Sequence, residues 1–189
     1  MACPGSRRCV AARTRGPVEW RVKRDGPRGT LTGMSDITVL TLVPNAGDRL
    51  PRCLESVRWA DNLFCVVDPK TSDGSDDVAR RYTDRVVVHT YENAAAQRNW
   101  AIPQITTEWT LVLDADEWVS PELAERIRAI MAAPDSRDGY DIRRLSYFFG
   151  KLIRHCGWHR DYNLRLFRTR RGRYLDKREI GSASCRERV

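Results

Sequence analysis

The stretch "LVLDADEW", Leu111 to Trp118, drives an apolar run into three acids, Asp114, Asp116 and Glu117. In an extended chain alternate side chains point the same way, so carboxylates two residues apart share a side while the small Ala115 points away. Converging hard oxygens suit Mg2+ or Mn2+, which take few protein carboxylates and complete their shells with phosphate oxygens. Such a cation neutralises charge that builds on a leaving diphosphate. The competing reading is structural: acids at the start of a following helix are favoured by its dipole. The triplet by itself leaves both readings open.

Three further stretches hold candidate chemistry. In "VVDPKTSDGSDD", Asp68 ends an apolar run, and Thr71, Ser72, Asp73 and Ser75 can turn the chain and cap the next helix. Capping leaves Asp68 unexplained; it can accept a hydrogen bond from a nucleobase N–H. In "AAAQRNWAI", Arg98 can reach diphosphate oxygens or stand solvated on a helix. In "RHCGWHRDYNLRLFR", Asp161 lies among bases and aromatics, a setting for a general base beside a sugar acceptor or for a salt bridge to Arg160 or Arg165. Trp158 can stack on a sugar ring or fill a core. His155, Cys156 and His159 match no standard zinc spacing and lack a fourth ligand.

Alternating strands and helices must position these groups. Strands are expected at Ile37–Val43, Leu63–Asp68, Arg85–His89 and Glu108–Asp114. Helices are expected at about Asp48–Trp59, Asp76–Tyr82, Ala94–Ile102 and Pro121–Ala132, with Ser75 and Ser120 as N-caps and Pro121 at the first helical position. The strands are continuous apolar runs, so both sheet faces should be covered by helices. That repetition predicts an α/β fold with a mostly parallel central sheet. Ligands of such sheets bind at the carboxyl ends of the strands, which selects the loops holding Asn45, Asp68, His89–Asn93 and Asp114–Glu117. After Pro134, strand-like pieces around Tyr140–Arg144 and Leu164–Phe167 flank the aromatic, basic stretch.

The 189 residues fit one domain with a sizeable core. The net charge of +8 suggests an anionic partner until it is mapped. Residues 1–33 carry eight bases and two acids, residues 170–189 seven and three, and the middle 18 and 20. The basicity thus belongs to the two ends, which argues against a specific nucleic-acid face on the domain itself. Six scattered cysteines (3, 9, 53, 65, 156, 185) without a C-x-x-C motif suggest free thiols in a reducing, cytoplasmic setting. No apolar run approaches the roughly 20 residues that span a bilayer. Residues 1–33, rich in Arg, Gly and Pro, are expected to be disordered or translated from an over-early start, with Met34 an alternative initiator. The domain should span 34–179, with one half at about 34–133, a second at 134–179 and a foreign tail at 180–189.

In this order the stretches "RCLESVRWAD", "VVDPKTSDGSDDVAR", "AAAQRNWAIPQ", "WTLVLDADEWVSPELAERI", "GYDIRRLSYFFGKLIRHCGWHRDYNLRLFR" and "GRYLDKRE" resemble the inverting, GT-A-fold glycosyltransferases of family 2, in their lipopolysaccharide-core glucosyltransferase-like branch. The resemblance implies a GT-A fold and transfer of a hexose from a nucleotide-sugar to a cell-envelope glycan or lipid-linked acceptor, at the inner face of a membrane. It implies a nucleotide-sugar half at about 34–133 and an acceptor half at about 134–179, with Asp68 and the loop of Asn45 holding the nucleoside. Asp114 would contact ribose and share an Mg2+ or Mn2+ ion with Asp116. Gln97, Arg98 and Asn99 would match the family's Gln-Lys-Asn segment, with Arg98 toward the donor, and Asp161 would be the general base. Two stretches depart from the family. The turn after the first strand reads Val43-Pro44-Asn45-Ala46, without the usual tyrosine and glutamate, and "EIGSASCRERV" fits no family pattern, as in a truncated member. Two alternatives stand beside this: a transferase that binds nucleotide-sugar without turnover, and a sugar nucleotidyltransferase. The latter would want a Gly-rich turn after the first strand, where "LVPNAGDRL" has one glycine.

Overall fold

The computed structural model describes residues 6–11, 36–148, 151–152, 162–175 and 183–185. Within them the chain passes through β1 (Ser6–Ala11) and reaches the sheet at β2 (Ile37–Val43), which is buried at every position. A one-turn 3-10 helix at Gly47–Arg49 runs into α1 (Leu50–Glu55), followed by β3 (Asn62–Val67), α2 (Ser75–Arg80), β4 (Val86–Val88) and α3 (Ala94–Ala101). Then come β5 (Trp109–Asp114), β6 (Glu117–Val119), α4 (Pro121–Ala132), β7 (Gly139–Phe148), β8 (Lys151–Leu152), β9 (Tyr162–Arg168), β10 (Gly172–Tyr174) and β11 (Ala183–Cys185).

The main sheet has the order β4-β3-β2-β5-β9-β7-β1-β6. Its first four strands are mutually parallel, as continuous apolar runs require. From β5 onward the neighbours β9, β7 and β1 are antiparallel, so the C-terminal strands extend the parallel half rather than repeating it. One face packs Val39, Cys65, Leu111 and Leu113 against Leu50, Leu54, Leu123 and Ile127 of α1 and α4. The other packs Leu40, Phe64, Val66 and Val112 against Ala101 and Ile102 at the end of α3. Helices on both faces are thus observed.

Several boundaries are sharper than the sequence suggests. Helix α4 begins and ends where expected, and Ser120 caps it by accepting from the Leu123 amide at 3.2 Å. Ser75, expected as an N-cap, is instead the first residue of α2; Gly74, at φ +77°, precedes it. The Ser75 hydroxyl accepts from the Ala46 amide at 3.1 Å, so it ties two loops together. Ser6–Ala11, within the stretch expected to lack order, is a strand between β7 and β6. Ala183–Cys185, within the expected foreign tail, pairs with β10. The pairing of "SRRCVA" and "ASC" is non-local, so local composition carries no sign of it.

At Gly172 the backbone crosses the Phe167 ring so closely that a methyl group would overlap it. Gly172→Ala is expected to displace β10 and lower Tm by several degrees in a thermal melt; an unchanged Tm would mean that Phe167 yields freely.

Cys53 and Cys65 are free and buried, as their apolar settings suggest. Burial pushes the Cys65 thiol up to about 12. An unfolded thiol ionises near ~8.5, so this contribution is complete below that pH and is lost as pH rises toward the folded value. Urea titrations should therefore show the wild type losing stability faster than Cys65→Ala between roughly pH 8.5 and 10. Parallel pH profiles would contradict the assignment.

Candidate active site

The carboxyl ends of β2, β3, β4 and β5 lie side by side, and their loops are stitched together by side chains. Asn45, after β2, accepts from the Ser72 amide at 2.9 Å through Oδ1. Asp73 accepts from the Gly47 amide at 2.8 Å, and Gly47 sits at φ +53°, where other residues are strained. The Ala46 and Gly47 amides are thus already engaged, which removes the donors a triphosphate-binding turn would need. Asp68, half-buried at the end of β3, accepts from the Lys70 and Tyr91 amides at 2.7 Å each, one per oxygen. Its carboxylate pins the β3 loop to the β4 loop and retains lone pairs for a further donor.

The D-x-D turn has a division of labour that alternation did not predict. Strand β5 ends at Asp114, and Ala115–Asp116 is a turn, so the two-residue period stops before it reaches Asp116. Ala115 packs into the core, as its size suggests. Every polar group of Asp114 is held. Its carboxylate accepts from Arg98 Nη2 at 2.6 Å and from Arg165 Nη2 at 2.7 Å. Its N–H donates to Glu117 Oε2 at 3.2 Å, and its carbonyl faces the Cys53 thiol at 3.5 Å. The Asp116 side chain is 32% exposed, with Arg49 Nη1 3.9 Å away. The expectation that Asp114 binds a metal meets an obstacle here, since each of its oxygens already faces a guanidinium.

Helix α3 delivers three different contacts from consecutive residues. Asn93 caps it, accepting from the Ala96 amide at 2.8 Å. Gln97, buried, donates to the His89 carbonyl at 3.0 Å and fixes the helix to the end of β4. Arg98 faces Asp114. Asn99 pairs with the backbone of Tyr174, accepting from its N–H at 2.8 Å and donating to its carbonyl at 2.7 Å. The Tyr174 ring lies under the Arg98 guanidinium, 4.9 Å from it.

Electrostatics follow from burial and pairing. Burial pushes the Asp114 carboxyl up, but the Arg165 and Arg98 guanidiniums outweigh it and hold it well below the usual carboxylate range. Burial raises the Glu117 carboxyl, against the pull of Arg165. Burial alone would lower Arg165, and Asp114 and Glu117 reverse this, so its charge is fixed.

Asn45, Asp68, Arg98, Asp114 and Asp116 therefore gather at one sheet edge. Asp161 lies outside the described residues, as do Trp158, His155, Cys156 and His159. Sequence reasoning missed Glu117 and Arg165 as site residues. The helix-dipole reading does not account for Glu117, which lies in β6 and is 1% exposed. The available signals were the short stretch "EWV", two strand-forming residues behind an acid, ahead of the Ser120-Pro121 helix start, and an arginine flanked by leucines in "NLRLF". As to a cation, no group of three or more metal-binding side chains occurs among the described residues. The partly exposed carboxylate of Asp116 would fit an Mg2+ or Mn2+ ion whose other ligands came from a diphosphate.

Residues 38–185 match the family described as Glycosyl transferase family 2. The chain belongs to glycosyl transferase family 2. The α/β architecture, parallel from β4 to β5 and covered on both faces, is accordingly the GT-A fold. The family 2 chain is 28% identical over 130 residues to the lipopolysaccharide core biosynthesis glycosyltransferase LpsC of Rhizobium meliloti, covering 66% of this chain and 48% of LpsC. It is 28% identical over 134 residues to the uncharacterised glycosyltransferase RT0209 of Rickettsia typhi, covering 71% and 43%. The chain thus spans less than half the length of these two relatives. Among solved structures, the mannosyltransferase PcManGT of Pyrobaculum calidifontis, in complex with GDP-Man and Mn2+, is similar with a TM-score of 0.42 and 22% identity, over 55% of this chain and 34% of that one.

Proposed function

We propose that this family 2 domain transfers a hexose, with inversion, from a nucleoside-diphosphate sugar to a hydroxyl of a cell-envelope glycan or lipid-linked acceptor. The lipopolysaccharide context follows the similarity to LpsC. The observation that carries the donor site is the locked turn: Asp114 is fixed on every polar atom, while Asp116, about as accessible, has only Arg49 Nη1 beside it at 3.9 Å.

Asp116 holds the divalent cation, and Asp114 anchors the turn and contacts ribose. Asn45 and Asp68 hold the nucleoside from the neighbouring loops, and Arg98 turns its remaining donors to the diphosphate. A bound Mg2+ or Mn2+ ion supplies positive charge to the departing diphosphate. Asp161 takes the proton from the acceptor hydroxyl as its oxygen bonds to the sugar's anomeric carbon. The bond from that carbon to the diphosphate breaks, and its electron pair leaves with the diphosphate. One displacement inverts the anomeric centre and needs no covalent intermediate.

No helix among the described residues is long and apolar enough to cross a membrane. Peripheral contact through the basic and aromatic residues near 147–173 would bring the domain to its acceptor. The test is release of nucleoside diphosphate from a panel of nucleotide-sugars, with Mn2+ and with EDTA. Mn2+-dependent release supports the reading. Binding without release would make this chain a binding module, and pyrophosphate release from a nucleoside triphosphate and a sugar phosphate would make it a nucleotidyltransferase.

A further inference from the structure

We propose that Glu117 and Arg165 form a positioning clamp that sets the Asp114–Asp116 turn for its cation. The inference rests on reading this edge as a nucleoside-diphosphate site. A closed ring of hydrogen bonds runs through the turn. The Asp114 N–H donates to Glu117 Oε2 at 3.2 Å. Arg165 Nη2 then bridges Glu117 Oε1 at 3.0 Å and Asp114 Oδ2 at 2.7 Å. The ring joins the end of β5, the start of β6 and the middle of β9, so one arginine of the acceptor half holds the donor turn at two points.

A helix-start charge would not need this arrangement. The first turn of α4 has its own acid, Glu122, and its own cap, Ser120. An acid 1% exposed is costly to bury unless it is paired. Glu117 faces Arg165 and also Arg144, whose Nη1 is 3.6 Å away. Among the described residues Arg165 Nε and Nη1 are buried and without a hydrogen-bond partner, so Arg165 is placed for its two carboxylates rather than for its own full satisfaction. The clamp touches Asp114, two residues before the carboxylate that would hold the cation, so it acts through the backbone of the turn; groups that orient a metal ligand typically change metal affinity 10- to 100-fold when removed.

The experiment uses the full chain, with Mn2+ and a nucleoside diphosphate as probes. The readout is the Mn2+ concentration giving half of the diphosphate-dependent rise in Tm. Glu117→Gln should raise it about tenfold or more while kcat at saturating Mn2+ changes less. If the single variant does not fold, Glu117→Gln combined with Arg165→Gln removes both charges and leaves neither partner stranded. A clamp predicts that the double variant folds yet still needs the higher Mn2+. A role confined to charge balance predicts that it regains the wild-type Mn2+ requirement, which would overturn the proposal, as would an unchanged requirement in the single variant. A folded wild type that binds no nucleoside diphosphate would instead remove the transferase reading, and the clamp with it.

Discussion

Asp116→Ala is expected to leave the protein folded and reduce transfer or donor hydrolysis by about a thousandfold. The side chain is partly exposed and only distantly paired, 3.9 Å from Arg49, so its loss should move stability by no more than ~0.5 kcal/mol. Its proposed partner is the cation on the donor, whose contribution is greatest when negative charge leaves with the diphosphate. Extra Mn2+ should restore little, because a neutral methyl offers no ligand. Steady-state kinetics alongside a thermal melt separates the two effects. A variant with unchanged Tm and unchanged turnover would remove Asp116 from the site.

Arg165→Ala should do the reverse and damage the fold first. The guanidinium is 6% exposed and faces Asp114 and Glu117 at 2.7 and 3.0 Å. Removing it leaves two carboxylates together at the buried edge, with Arg98 and Arg144 as their remaining cations. Breaking a buried ion pair from one side costs about 3–5 kcal/mol. For a protein of this size that is a fall in Tm of about 10 °C. Arg165→Lys should recover little, because an ammonium cannot reproduce a planar fork spanning two carboxylates. Arg98→Ala should cost less, since Asp114 keeps Arg165 and the Arg98 side chain is 13% exposed. Equal losses for Arg98→Ala and Arg165→Ala in urea titrations would contradict this ranking.

What the sequence disclosed and what it concealed divide by range. Strand β2 and helix α4 were legible because their signals are local: seven buried positions in a row for one, and Ser120-Pro121 ahead of an amphipathic stretch for the other. The sheet edge was legible because acids at the ends of apolar runs mark it. The role of Asp114 was not, since its partners Arg98 and Arg165 lie 16 and 51 residues along the chain. Neither residue type nor spacing distinguishes an aspartate waiting for a cation from one already held by two arginines. Ser75 misled for a related reason: its hydroxyl serves an amide 29 residues away instead of its own helix. Strand β6 was hidden by its brevity, with three residues between a turn and a helix cap.

The most direct measurement is the melting temperature of the chain against a panel of nucleoside diphosphates and their sugar derivatives, with Mn2+ and with EDTA. A ligand bound only by the folded state raises Tm, by an amount that grows with the logarithm of its concentration over Kd. The donor-site account predicts a rise of several degrees for one base, present with Mn2+, lost with EDTA and absent in Asp116→Ala. A folded chain that shows no rise with any nucleoside diphosphate, or an equal rise with and without the cation, would contradict it.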